Sequence, residues 1–563
     1  MGVRETVSDV FLETLYASGV RLLFANVGTD YPPILESLAK YTALGAPLPA
    51  MIVCPHETTA ITAAHGAYLA SGRAQGVFVH VGVGTQNLGA ATQQAWTGRI
   101  PMLVFAGRSP VTTRGELPGS RDNFIHFLQD VRDQAGVIRQ FCKWEFNLEL
   151  PEQIAYALQR GLRVMNAEPP GAVYMTAARE VLGMPAPALA SDPPEQYAKP
   201  VLGELRHEDA RRLAETLQRA ERPLIVTSYL GRRPQAVEAL VGLSETLRIP
   251  VVEATPAYLN FPRTHPHHWG FRAGTKVADA DLILLVDTDV PWVPTLGAPR
   301  PGTPVVQIDI DPIKPHIVMW DFPVTESHQV DSYPALARVL ECTRALPAPT
   351  AAWREARARW LAAHRPKRPD PVLTGPLSAE GASAVLQREL DPDTVVFNEG
   401  ISNTDAILEG TRCDRPGAYF GVAGGTLGWG GGAAFGYKLM RPQAEVAWLV
   451  GDGSFLFSVP SSLFMAVQRY RTPFLTVIYN NSGWRAVKLA TDRMYGPAGH
   501  AARGADYHHM LGPEAPLERV AEAFGCYAAV ARDAEGLAAA VREARRQIAA
   551  GRAAVINCLI AQD

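Results

Sequence analysis

Residues 451–453 read Gly-Asp-Gly and close the strand-like run VAWLV. Residues 480–481 read Asn-Asn and close the run FLTVIY. Twenty-six residues separate Gly453 from Asn480, enough for one helix (SSLFMAVQRYR) and a returning strand. A strand–helix–strand unit of this kind brings Asp452 and Asn481 to neighbouring strand ends. The Asp452 carboxylate, the Asn481 amide oxygen and the Gly483 carbonyl are hard oxygen donors that suit Mg2+ or Ca2+. Mg2+ held by so few protein groups completes its shell with water and phosphate oxygens. Gly451 and Gly453 let backbone N–H groups approach a diphosphate, and Ser454 adds a hydroxyl near a helix start. Gly-Asp-Gly alone is also an ordinary strand-to-helix turn. Asn-Asn at the end of the next strand is what makes the pair read as a site.

A second stretch, MIVCPHETTA (51–60), places one acid, Glu57, between a strand-like run and an alanine-rich helical run. An acid here stabilises a helix N-terminus. In so apolar a setting it is also a carboxyl able to carry a proton. The two roles do not exclude each other.

The elements that must position these residues are parallel sheets. Continuous β-branched runs alternate with helical patterns throughout, which indicates α/β domains with helices on both faces of mostly parallel sheets. Two proline-rich stretches, 183–200 and 364–376, read as linkers and divide the chain into segments 1–182, 200–345 and 377–563. In such sheets ligands bind at the carboxyl ends of the strands. Net charge is −3 with no basic face, which argues against nucleic acid as a partner. Six scattered cysteines without a CxxC pair argue against a disulfide framework or a structural zinc. No signal-peptide pattern opens the sequence and no apolar run approaches the ~20 residues of a membrane span, so a cytoplasmic protein is expected.

Gly-Asp-Gly and Asn-Asn at this spacing resemble the thiamine diphosphate (ThDP) binding motif. The three segments match the plan of the ThDP-dependent decarboxylase and carboligase superfamily, which includes benzoylformate decarboxylase and acetolactate synthase. In that plan 1–182 is a pyrimidine-binding domain, 200–345 a Rossmann-like central domain and 377–563 a diphosphate-binding domain. The resemblance implies that Asp452, Asn481 and Gly483 hold the metal. It implies that CPHETTAITAAHGAYLASGR carries the catalytic glutamate, Glu57, which hydrogen-bonds the cofactor's pyrimidine nitrogen N1′. In this superfamily the pyrimidine domain of one subunit faces the diphosphate domain of another. A homodimer is then the minimal active unit, and a homotetramer is common.

The same resemblance assigns further residues. VFVHVGVGTQNLGAATQQAW (77–96) looks like the decarboxylase loop with an active-site histidine, here His80, and Asn87 and Trp96 fit the pattern. Gly82, Gly84 and Gly89 suggest a loop where backbone meets ligand. The acetolactate-synthase type has Gly-Pro-Gly there, and this sequence has Gly82-Val83-Gly84. Thr29 stands where the decarboxylase pattern has a serine that touches the substrate carboxylate. FPRTHPHHWGF (261–271) resembles the stretch with a second histidine, best matched by His265. AGGTLGWGGGAAFGY (423–437) resembles the loop that bends ThDP, with Leu427 under the thiazolium and Gly425 offering its carbonyl. Ser402 in NEGISNTDA is a phosphate contact, and Trp484 and Val487 line the substrate pocket. Gln129-Asp130 occupies the place of the Gln-Glu pair of acetolactate-synthase-like proteins, and an exposed helix face is the expectation for it.

The resemblance thus implies a ThDP- and Mg2+-dependent lyase or transferase that breaks or forms C–C bonds beside the carbonyl of a 2-oxo acid. A 2-hydroxy ketone or 2-hydroxyacyl-CoA lyase, and a catalytically silent regulatory subunit, are the alternatives. Some relatives carry FAD in the central domain, but IVTSYLGRRP (225–234) lacks a glycine-rich turn, so no FAD is expected. A Rossmann dehydrogenase would need GxGxxG after its first strand, and NVGTDY lacks it.

Overall fold

Seventeen strands and the helices between them form three sheets in the computed structural model, which describes residues 4–187, 194–366, 370–512 and 515–561. Both proline-rich stretches run partly outside the described residues, at 188–193 and 367–369. The first sheet contains β1 (Leu22–Asn26), β2 (Ala50–Val53), β3 (Gln75–Val79), β4 (Met102–Arg108), β5 (Trp144–Leu148) and β6 (Val173–Ala178). Their order is β2-β1-β3-β4-β6-β5, and every pairing is parallel. The second sheet contains β7 (Pro223–Thr227), β8 (Val251–Glu253), β9 (Leu282–Val286), β10 (Val305–Asp309) and β11 (Glu326–Gln329), in the order β11-β10-β9-β7-β8 and again parallel. The third contains β12 (Val395–Glu399), β13 (Tyr419–Gly421), β14 (Val446–Gly451), β15 (Leu475–Asn480), β16 (Tyr527–Ala531) and β17 (Ala554–Leu559). Its order, β13-β12-β14-β15-β17-β16, repeats that of the first sheet strand for strand.

The central strands are apolar on both faces because helices cover both. β3, β4 and β6 are buried nearly throughout, and Phe11, Phe78 and Phe105 form an aromatic centre on one side of the first sheet. Parallel strands need crossover connections, and each crossover returns the chain to the same edge, so successive strand ends gather at one side.

The chain divides into two compact units, Met1–Pro200 with Gly424–Val530 and Glu543–Asn557, and Val201–Ala423 with Ala531–Arg542 and Cys558–Asp563. Within the first unit, the helix Glu57–Ser71 packs on the helix Gly430–Met440. These are equivalent helices, since one follows β2 and the other follows β13. Their backbones approach so closely that a Cβ on Gly66 would overlap the Ala433 carbonyl, and one on Gly436 the Ala63 carbonyl. A Cβ on Gly432 would overlap Thr62 Oγ1. Gly66→Val should therefore cost roughly 2–3 kcal/mol of stability, read as a fall in the urea midpoint by circular dichroism. Gly504→Ala, which meets open space, should leave that midpoint nearly unchanged.

Candidate active site

Glu57 stands where β2 hands over to a helix. His56 is extended (φ −146°, ψ 146°), and its Nδ1 accepts the Thr58 N–H at 3.1 Å, so the cap fixes Glu57 as the first helical residue. The Glu57 side chain is enclosed, the residue being 6% exposed. Asn87 Nδ2 donates to its Oε2 at 3.0 Å. A Cβ on Gly84 would lie 3.2 Å from Oε1, so glycine there leaves that oxygen room. The stretch 77–96 differs from the expected loop. After β3 it folds into two short helices, Val81–Asn87 and Gly89–Thr97, and Gly82, Gly84 and Gly89 are helical. Successive helical turns are what aim Asn87 back at Glu57.

His80 sits at the junction of β3 and the first of these helices. Its Nδ1 lies 2.5 Å from Asp30 Oδ1, and the Gln129 side chain lies near the ring. The Val81 N–H donates to Asp30 Oδ2 at 3.2 Å. Val81 has φ 30°, a conformation that β-branched residues avoid, and Asp30 thus anchors a strained junction. Thr29 Oγ1 lies 3.2 Å from His126 Nε2, and Arg179 Nη1 donates to the Thr29 carbonyl at 3.0 Å. Burial, then the Arg179 charge, pulls the His126 imidazole below its usual range.

Two members of this group carried no signal in the sequence. Asp30 and His126 were not singled out, and their contacts span 50 and 97 residues of chain. Gln129 corrects the expectation of an exposed helix face. It is 8% exposed and turned to His80, while Asp130 is exposed and pairs with Arg121.

At the other pair of strand ends, β14 closes at Gly451 and the helix Asp452–Phe457 starts at once. Asp452 accepts the Gly453 N–H (Oδ1, 2.8 Å) and the Gly483 N–H (Oδ2, 2.8 Å). Burial pushes Asp452 up to about 6, against the pull of these backbone donors. Asn480 turns the chain, its Oδ1 accepting from Ser482 N at 2.9 Å, and Asn481 is buried beside Asp452, its backbone hydrogen-bonded to that carboxylate. Gly483 bridges Met510, and a Cβ there would press on the His509 carbonyl. A Cβ on Gly453 would come within 2.8 Å of the Trp484 ring. Trp484 and Val487 are 41% and 48% exposed, and the helix Arg485–Tyr495 buries none of its residues.

The loop before Gly430 joins these parts. Gly424 N and Thr426 Oγ1 both donate to Gln94 Oε1, at 3.1 and 3.2 Å. Gly425 is exposed and Leu427 half-buried. In the second unit, Ser402 is half-buried in a turn after β12, next to buried Asn403. There His265 has both ring nitrogens engaged, Nδ1 by the His267 N–H (3.0 Å) and Nε2 near Glu245 (3.3 Å).

The donor set fits a metal–diphosphate better than a bare metal. Among the described residues no group of three or more His, Cys, Asp or Glu could hold an ion by itself. One carboxylate, one amide and one carbonyl leave positions for phosphate oxygens. Ser454 Oγ is buried without a hydrogen-bond partner at the start of its helix. Such an orphan is uncommon in a finished interior and fits a polar ligand.

Three family descriptions match the chain. Residues 5–137 match the thiamine pyrophosphate enzyme N-terminal TPP binding domain, 210–324 the central domain and 402–558 the C-terminal TPP binding domain. The chain is 26% identical to benzoylformate decarboxylase of Pseudomonas aeruginosa over 86% of its own length and 87% of the relative's. It is 24% identical to the acetolactate synthase isozyme 3 large subunit of Escherichia coli, over 92% and 88%. Its fold superposes on the ThDP-dependent 4-hydroxybenzoylformate decarboxylase of Rhodococcus jostii with TM-score 0.81, covering 99% of both chains at 23% identity.

Replacing the amide that faces Glu57 by a carboxylate, Asn87→Asp, should lower the melting temperature by roughly 2–5 °C at pH 8. The loss should shrink at pH 5, where the two acids can share a proton. Differential scanning calorimetry at the two pH values reads both effects.

Proposed function

Because the chain belongs to the thiamine pyrophosphate enzyme family, we propose that it is a ThDP- and Mg2+-dependent enzyme that decarboxylates a 2-oxo acid. The observation that carries this reading is Glu57, a buried carboxyl at a helix start whose Oε2 is held by a neutral amide. Bound ThDP would supply the nucleophilic carbon and the electron sink. Glu57 would hold a proton against the pyrimidine nitrogen N1′ and so set the tautomer of that ring. Asp452, Asn481 and the Gly483 carbonyl would hold Mg2+. Gly451 and Gly453, with the Ser454 hydroxyl, would receive the diphosphate, and Gly425 and Leu427 would support the rings. Thr29, Asn87, Trp484 and Val487 would line the substrate pocket. His80 would move protons there. His265 would have to leave Glu245 to act as a second carrier.

One observation favours a carboligase of acetolactate-synthase type as the second reading. Gln129, in the stretch that resembles those proteins, is buried against His80. Flavin is not part of the proposal. At the carboxyl edge of the second sheet, Lys314 Nζ sits 2.6 Å from Asp309 and 2.8 Å from the Tyr229 hydroxyl, filling that edge with a buried cluster of its own. A cytoplasmic location is part of the proposal; no described helix is long and apolar enough to cross a membrane.

The proposed assembly is a homodimer or homotetramer, with Glu57 of one copy serving the Asp452 group of another. The exposed Val487, Met494 and Tyr495 on the helix Arg485–Tyr495 support it.

Glu57→Gln should bind ThDP and Mg2+ nearly as tightly, by intrinsic tryptophan fluorescence, yet lose about 10²–10⁴-fold in kcat. Asp452→Ala should lose metal-dependent binding. The wild-type test is a 2-oxo acid panel followed for both CO2 and ligation products, and release of neither removes the proposal. Co-expressing Glu57→Gln with Asp452→Ala should restore activity through the one intact site of each mixed dimer, and no restoration would place the site within one copy.

A further inference from the structure

Three neighbouring strand ends are built around one ion pair. Asp30 comes from the loop after β1, His80 from the end of β3, and Gly107 from the end of β4. A Cβ on Gly28 would overlap His80 Nδ1, and a Cβ on Gly107 would overlap the Asp30 carboxylate. Both glycines therefore clear space for the contact. Asp30 is 3% exposed, and its two oxygens take the imidazole and the Val81 N–H. Both carboxylate oxygens of Asp30 are thus in use as acceptors.

We propose that Asp30 is a positioning residue of this site: it fixes the His80 imidazole with Nδ1–H toward Asp30, so that Nε2 is the nitrogen that exchanges a proton with the substrate. This rests on the 2-oxo acid reading. The protonated ring gives its Nε2 proton to the substrate-derived group after CO2 has left. The neutral ring keeps Nδ1–H on Asp30, and a solvent proton restores Nε2–H. The groups facing the ring are Asp30 from the loop after β1, Glu57 from the helix after β2, and His126 and Gln129 from the 125–129 segment. Burial pulls the ring down, but the hydrogen bond and charge of Asp30, then Gln129 and Glu57, outweigh it and raise His80 above 6.5. The raised value means that the pair's stabilisation is complete below pH 6.5 and is lost as pH rises through the folded-state value. An acid of this kind also sets an alkaline limb on turnover.

The test uses full-length protein carbethoxylated by diethyl pyrocarbonate across pH 5–9, with the His80 peptide quantified by mass spectrometry. Wild-type His80 should react with a midpoint above pH 6.5, and Asp30→Asn should lower it by about one unit or more. Gly28→Ala, which keeps Asp30 but displaces the ring, should lower it likewise. In turnover, Asp30→Asn should reduce kcat about tenfold, leave KM within about threefold, and move the alkaline limb down with the peptide midpoint. An unmoved midpoint in both variants, each folded by circular dichroism, overturns the pairing. A midpoint that falls while the alkaline limb stays overturns the role in proton transfer. A midpoint that falls in a protein that turns over no 2-oxo acid overturns the substrate reading while the pairing stands.

Discussion

The close approach of two helix backbones governs the first unit. The helices Glu57–Ser71 and Gly430–Met440 touch through Gly66, Gly432 and Gly436, where carbonyls and a hydroxyl of the facing helix occupy the space of a Cβ. Neither helix can slide or rotate without collision, because glycine relieves the contact only at those positions. Each helix starts at a stretch of the candidate site, Glu57 on one and the Gly424–Trp429 loop on the other. Trp429 adds a polar latch, its Nε1 donating to His65 Nδ1 at 3.1 Å. Burial holds that imidazole neutral, down to about 3, so the latch does not depend on ordinary changes of pH.

Upon this frame the parallel sheets do the placing. Strand ends in the first sheet deliver Asp30, Glu57 and His80, and strand ends in the third deliver Asp452 and Asn481. The matching strand orders explain why two groups of residues, far apart in sequence, occupy comparable positions. At each, a short helix begins immediately after a strand: Val81–Asn87 after β3, and Asp452–Phe457 after β14. In the first the opening N–H is satisfied by a side chain of the protein, Asp30. In the second a serine hydroxyl is left open.

Much of this was legible in the sequence. Asp452, Asn481 and Gly483 stand in short patterns whose spacing constrains geometry, Glu57 was reached through a family resemblance, and the β-branched runs announced parallel sheets. The helical character of 81–97 was not legible, because three glycines and few apolar residues give no 3.6-residue periodicity to read. The His80 surroundings were less legible still. Asp30 looks like a turn residue, His126 like one histidine among several, and Gln129 like a surface amide. Only the fold brings them together, through contacts whose partners share no local pattern. His265 shows the converse: its stretch matched a motif, yet its ring nitrogens are engaged within its own unit.

The two glycines at 28 and 107 also bear on how such a site could arise. A histidine entering position 80 opposite alanine at 28 would find its ring position already occupied. An aspartate entering position 30 opposite alanine at 107 would fare no better. The four positions are useful only as a set, so the small residues had to be present before the chemical ones. Transplanting the histidine–aspartate pair onto a related scaffold thus means moving four residues, and the two with no functional groups come first.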